Sequence, residues 1–225
     1  MNIILFGPPG AGKGTQAENI VKDFSLYKVS TGDLLREEIK NKTNFDNQIK
    51  SRIDQGLLVS DDIINDLIVK ILSSEKYYNR LIFDGYPRNL NQAKSLELLV
   101  KKYNQKISCV LNLNVDKKSI IKRILGRLVC TKCGLTFNKY FNPPNKDKHN
   151  CNLKYLKTRT DDNENTIKNR FETYAKETLP ILNYYADQKI LHKIDGSREI
   201  DQIYVEIRSI IASLETWLCK WYLYK

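Results

Sequence analysis

Residues 2–15 read NIILFGPPGAGKGT, and they decide the fold. The apolar run Ile3-Ile4-Leu5-Phe6 predicts a buried strand. It is ended by GPPGAGKG, which holds four glycines and two prolines in eight residues. A turn needs one or two such residues. A longer stretch with little side chain lets backbone N–H groups surround an anion, and the helix that follows adds the positive end of its dipole. Lys13 brings a mobile positive charge to terminal phosphates. The strict phosphate-binding pattern has Ser or Thr directly after this Lys. Here Gly14 intervenes, and the hydroxyl sits on Thr15.

Working outward, strands are expected at 2–6, 27–29, 80–84, 107–113 and 189–194. Helical patterns lie between them near 13–23, 31–40, 45–55, 61–73, 90–102, 117–126, 162–187 and 199–215. This alternation predicts an α/β fold, a parallel five-stranded sheet with helices on both faces. In such sheets ligands sit beyond the carboxyl ends of the strands, where the glycine loop falls. Two stretches exceed what crossovers need: 30–59, read as short helices, and 127–158, rich in Lys, Asn, Pro and Cys and without helical periodicity. A long insert of the second kind is usually a functional lid or disordered.

The 225 residues suffice for one main domain with inserts, and 41% hydrophobic content argues against disorder. No apolar run is long enough to span a bilayer. A strand beginning at residue 2 leaves no room for a cleavable leader. The expected compartment is therefore cytosolic, with a mitochondrial address lacking a cleavable presequence as the alternative. The net charge of +11 is scattered as Lys among Asn, Asp and Glu, so nucleic acid is not expected as a partner. An odd count of five cysteines speaks against a disulfide framework.

Two further loops fall at strand ends. Ser30-Thr31-Gly32-Asp33-Leu34-Leu35-Arg36 reads as a helix cap or an anion contact. Phe83-Asp84-Gly85-Tyr86-Pro87-Arg88, with Gln92 after it, reads as a tight turn or a second site. Asp84 suits Mg²⁺ held through water, and Arg88 offers a planar fork to a phosphate. Cys130-Thr131-Lys132-Cys133 is a hook followed by His149-Asn150-Cys151. Thiolates and imidazole at such spacing favour Zn²⁺, and four ligands with no open position would make it structural. The tail TWLCKWYLYK extends an amphipathic pattern that reads as a longer helix, or as a partner or membrane-surface contact.

These motifs, together with Gly126-Arg127 and TRTDDNENTIKNRFETY, resemble the adenylate kinase family over roughly residues 1–215, in that family's order. The resemblance implies reversible transfer of the terminal phosphoryl group of MgATP onto AMP, giving two ADP. It implies a core of 1–29, 60–126 and 159–225, an AMP-binding insert at 30–59 and a lid at 127–158. Gly10, Ala11, Gly12, Lys13, Gly14 and Thr15 would wrap the triphosphate. Arg123, Arg127, Thr136, Phe137 and Lys193 would complete the donor site. Thr31, Arg36, Leu57, Leu58, Val59, Gly85, Tyr86, Pro87, Arg88 and Gln92 would hold AMP, with Arg159 and Arg170 closing over both phosphate chains. One branch of the family staples its lid with zinc through a CxxC pair and a second ligand pair, normally separated by two residues; His149 and Cys151 are separated by one, so the resemblance leaves Asp147 as an alternative to either. Asn89 stands where the family commonly has Thr, and Leu128 where a second Arg often follows the hinge. Neither departure touches a position given a role.

Phosphoryl transfer needs two polyanions held in line without repulsion and without bulk water. Lys13, Arg36, Arg88, Arg127, Arg159 and Arg170 would supply the neutralisation, three of them on or beside the lid. A monomeric enzyme is expected. The donor base stays open between ATP and GTP, since backbone contacts choose it. A P-loop switch that binds without turnover would have no use for the acceptor residues. A zinc-ribbon nucleic-acid module conflicts with the buried α/β pattern.

Overall fold

The structure is a computed structural model describing residues 1–40, 46–145 and 149–223. In chain order it contains β1 (Asn2–Phe6), α1 (Lys13–Phe24), β2 (Tyr27–Ser30), α2 (Thr31–Lys40), α3 (Asp46–Asp54) and α4 (Asp61–Leu72). Next come β3 (Leu81–Asp84), α5 (Leu90–Lys102), β4 (Ile107–Asn114), α6 (Lys117–Leu125), β5 (Arg127–Cys130), β6 (Thr136–Asn138) and β7 (Leu156–Lys157). The chain ends with α7 (Glu164–Thr173), α8 (Leu179–Asp187), β8 (Leu191–Asp195) and α9 (Ile200–Leu223).

The main sheet has five strands in the order β2-β3-β1-β4-β8, every neighbouring pair parallel. Side-chain alternation along β1 builds both halves of the core. Ile3 and Leu5 join the cluster that includes Ile20 of α1, Ile120 of α6 and Ile207 of α9. Ile4 and Phe6 join the opposite one, with Ile68 of α4, Leu96 of α5 and Ile181 of α8. Both clusters are covered, which is why these strands read as continuous apolar runs. At the amino end of the sheet Asn2 is fully buried. Its amide donates to Gln105 Oε1 at 3.0 Å and accepts from Leu81 N at 3.1 Å, so the polar group is satisfied.

Two expectations are corrected. The helix expected over 162–187 is interrupted between α7 and α8 by a π-turn, Tyr174–Thr178. Pro180, in the first turn of α8, has no N–H to continue the ladder. Residues 127–158, expected without regular structure, contain a three-stranded antiparallel sheet in the order β6-β5-β7. Its strands are only four, three and two residues long, too short to leave a periodic signal. The tail expectation is met in that α9 runs to Leu223. The side chains from Thr216 onward, and Asp147, lie outside the described residues. Among the described residues no helix is long and apolar enough to cross a membrane.

Candidate active site

The carboxyl ends of β1, β2 and β3 open into one cleft of about 780 Å³. Its glycine wall is built for different reasons at each position. Gly12, the residue before α1, has φ 90, where L side chains are strained. Gly10 has φ 80, and a Cβ there would lie 2.6 Å from Ile124 Cγ1, so α6 packs directly on its backbone. A Cβ on Gly14 would meet nothing within 4 Å. Lys13 still reaches the cleft surface, yet its ammonium is closely surrounded and donates to Gly7 O at 2.8 Å and Pro8 O at 3.0 Å. Burial pushes its pKa down to about 8. Asp84 opposes that shift, while Arg88, Arg127 and Arg170 reinforce it.

A second group gathers around Gly85, which turns at φ 76. Its carbonyl accepts from Thr31 Oγ1 at 2.8 Å and from Arg88 Nε at 2.7 Å. Ser30 plays the capping part, its hydroxyl accepting from Asp33 N at 3.3 Å. Arg36 pairs with Asp33, whose pKa is lowered despite burial because Arg36, Ser30 and Arg159 favour the carboxylate. Arg88 is pushed down to about 10 by burial and the nearby Arg170. Gln92 is buried, with Oε1 accepting from Arg88 N at 2.8 Å and Nε2 donating to Asp61 Oδ1 at 2.6 Å. Asn89 caps α5 by accepting from Gln92 N at 2.8 Å, and its amide donates to both Asp61 oxygens at 3.0 and 3.2 Å. Asn89 therefore bears on Gln92 directly, against the expectation that it touches no assigned position. An Asn with an acid 28 residues upstream gives no sequence signal of that pairing.

The third wall comes from the small sheet and the segment after it. Arg127 Nε donates to Asp162 Oδ2 at 2.8 Å, and Arg170 pairs with Asp161. Both aspartates went unassigned in the sequence reading, although they stand two and three residues from Arg159. Arg159 is pushed down to about 10 by burial, Arg127 and Arg36. Arg123 donates to Gly196 O at 2.9 Å, and its guanidinium lies 5.5 Å from the centre of the exposed Phe141 ring, a lining residue the sequence reading missed. Thr136 and Phe137 line the same end. Every expected nucleotide-contact residue lines this cleft except Lys193. Lys193 is exposed within β8, paired with Asn112, and the cleft edge there begins at Ser197, past the strand's end.

On the small sheet, Gly134 turns at φ 75 and its N–H donates to Cys130 O at 2.9 Å, closing the loop between β5 and β6. Cys130, Cys133, His149 and Cys151 bring one ligand atom each to within 4.8 Å of one another. His149 is buried, and neither ring nitrogen has a hydrogen-bond partner. A buried imidazole with both nitrogens unpaired is costly, and a bound cation is the usual relief. His149 and Cys151 converge together despite their short spacing.

Residues 5–190 match the family described as Adenylate kinase. A protein of Pelagibacter ubique named Adenylate kinase is 48% identical over 94% of this chain and 99% of its own length. Its namesake in Enterococcus faecalis is 40% identical over 94% of this chain and 99% of its own length. That of Methanosarcina barkeri is 41% identical over 94% of this chain and 98% of its own length. Matches of this extent, on a sheet whose strand ends carry the motifs that first suggested the family, leave one assignment: the chain belongs to the adenylate kinase family and is a phosphotransferase of the nucleoside monophosphate kinase class.

Proposed function

We propose that the protein transfers the terminal phosphoryl group of MgATP to AMP, reversibly, giving two ADP. The observation that carries this reading is the single cleft in which the glycine loop and the Gly85 turn share one set of cations. A switch protein needs only the first of these. Lys13, its ammonium now spent on two carbonyls, would swing to the transferring group. Arg88 and Arg36 would grip the acceptor phosphate, with Thr31, Leu57, Leu58 and Val59 around its nucleoside. Arg159 and Arg170, each lowered by burial and by the nearby Arg127 and Arg36, are relieved once phosphates arrive. Positioning and charge then do most of the work, and no strong base is required.

Residues 30–59 and 127–158 would be the acceptor insert and the lid, and closing over the substrates would exclude water as a competing acceptor. Arg123 and Phe141, with Thr136 and Phe137, would stack on and flank the donor base. Bound Mg²⁺ supplies charge neutralisation between the phosphates, and Asp84 at the cleft end of β3 would hold it through water. Cys130, Cys133, His149 and Cys151 would hold a structural Zn²⁺ that fixes the small sheet. The deciding experiment is coupled measurement of ADP formed from AMP, with ATP and GTP compared as donors. Turnover with ATP at the higher kcat/KM is expected. Preference for GTP would reassign the donor, and no turnover of AMP with either would reject the reading.

A further inference from the structure

The Gln92 carboxamide has two chemically different ends, and the hydrogen bonds around it allow only one orientation. Arg88 N–H can only donate, so it requires Oε1. The Asp61 carboxylate can only accept, so it requires Nε2. Asp61 is itself fixed, since Asn89 Nδ2 donates to both of its oxygens. Asn89 cannot turn over either, because its Oδ1 must face the N–H of Gln92. The ring of contacts closes on groups whose polarity is beyond choice, and it leaves Gln92 one lone pair and one N–H for a ligand.

That remainder matters because Gln92 lines the acceptor end of the cleft. A 6-aminopurine presents a donor at position 6 beside an acceptor at position 1. A 6-oxopurine presents the reverse order. A carboxamide free to turn over would serve either base, whereas one held in a single orientation serves one. We propose that Asp61, held by Asn89, is a specificity-determining positioning residue. It sets which end of the Gln92 amide meets the acceptor base, and so selects 6-aminopurine over 6-oxopurine monophosphates. The inference rests on the acceptor reading above.

The test is steady-state kinetics with saturating MgATP and either AMP or IMP as acceptor, for the natural protein, Asp61→Asn and Asn89→Thr. IMP differs at the purine edge in question and adds no bulk. Asp61→Asn replaces an acceptor-only group with one that serves either end of the amide. Its KM for AMP should rise and the AMP:IMP ratio of kcat/KM should fall by about tenfold, the scale of one charge-assisted hydrogen bond. The KM for MgATP should stay within about twofold, because the donor is cradled separately. Asn89→Thr keeps a capping oxygen but offers Asp61 a single O–H in place of two N–H donors, and should lower the ratio by a smaller factor. An unchanged ratio in Asp61→Asn with natural circular dichroism overturns the proposal. Should that variant not fold, an unchanged ratio in Asn89→Thr overturns it instead. Failure of the natural protein to use AMP at all would refute the acceptor reading, a different result.

Discussion

Gly14 separates two reasons for a loop to be rich in glycine. Gly10 and Gly12 are explained within the chain, by α6 packing and by positive φ. Gly14 has open space where a Cβ would go, in the first turn of α1, where Ala is preferred over Gly by about 1 kcal/mol. A ligand approaching the backbone is the remaining reason. Gly14→Ala should therefore leave the melting temperature equal or higher while weakening MgATP binding by at least about tenfold, since small misplacements near the reacting group are costly. Thermal melts and a binding titration on one preparation check both halves. Lys13 carries the second prediction. Its pKa in the unliganded fold is about 8 against an ordinary 10.5, depressed first by burial. Between those values the unfolded chain holds more protons than the fold, so this residue's destabilising effect is relieved as pH rises through the window. Bound phosphate raises the pKa again. MgATP binding at pH 8.5 should thus take up on the order of half a proton or more, with little uptake at pH 7, and affinity should fall as pH rises past about 8. Calorimetry in buffers of different ionisation enthalpy measures the uptake directly. Lys13 was legible from sequence because the loop motif names it. The Asp61–Asn89–Gln92 ring was not, because it joins the starts of α4 and α5, which only the fold brings together.

At the scale of elements, legibility follows length and burial. The parallel strands, covered on both faces, stand out as apolar runs, and their predicted bounds lie within two residues of those observed. The pattern across 162–187 carried through Pro180 because α7 and α8 each keep an apolar stripe, so periodicity masked the π-turn between them. That turn frees Thr178, whose hydroxyl donates to Arg88 O at 2.8 Å beside the acceptor site. The small sheet was illegible for the opposite reason. Strands of four, three and two residues do not hold together in water without further support. A tetrahedral Cys₃His zinc site would supply that support from its own edge, beside Phe137, whose ring meets His149 at 5.0 Å. Purified protein should accordingly carry about one equivalent of zinc, and Cys130→Ser should destabilise the small sheet more than the core. Hydrogen exchange would speed up across β5, β6 and β7 while β1 and β4 stay protected. Absence of zinc from protein prepared without chelator, with Cys130 and Cys133 alkylated in the native state, would exclude the staple.

For the whole molecule, the question is why a chain of net charge +11 crowds its guanidinium groups together. Lys13, Arg88, Arg159 and Arg170 all have depressed pKa values, burial first and neighbouring cations next. Asp161 and Asp162 relieve part of this by pairing with Arg170 and Arg127. The lysines scattered along the chain carry no hint of that focus, because the three walls meet only after folding. An arrangement of this kind is repulsive when empty and attractive to a chain of phosphates spanning both subsites. A bisubstrate analogue joining two adenosines through five phosphates should therefore bind at least about a hundredfold more tightly than MgATP, since one ligand engages both sites without a second loss of translational freedom. At a hundredfold excess over its dissociation constant it should add about 2.7 kcal/mol to stability, visible as a higher melting temperature. Its affinity should also fall with added KCl more steeply than that of MgATP, because more charge is being neutralised. Arg88→Ala should remove most of the advantage of the analogue and leave MgATP binding nearly unchanged, as Arg88 stands on the Gly85 side of the cleft. An analogue that binds no tighter than MgATP, or an Arg88→Ala variant that weakens both ligands equally, would mean that the two walls do not form adjoining phosphate sites.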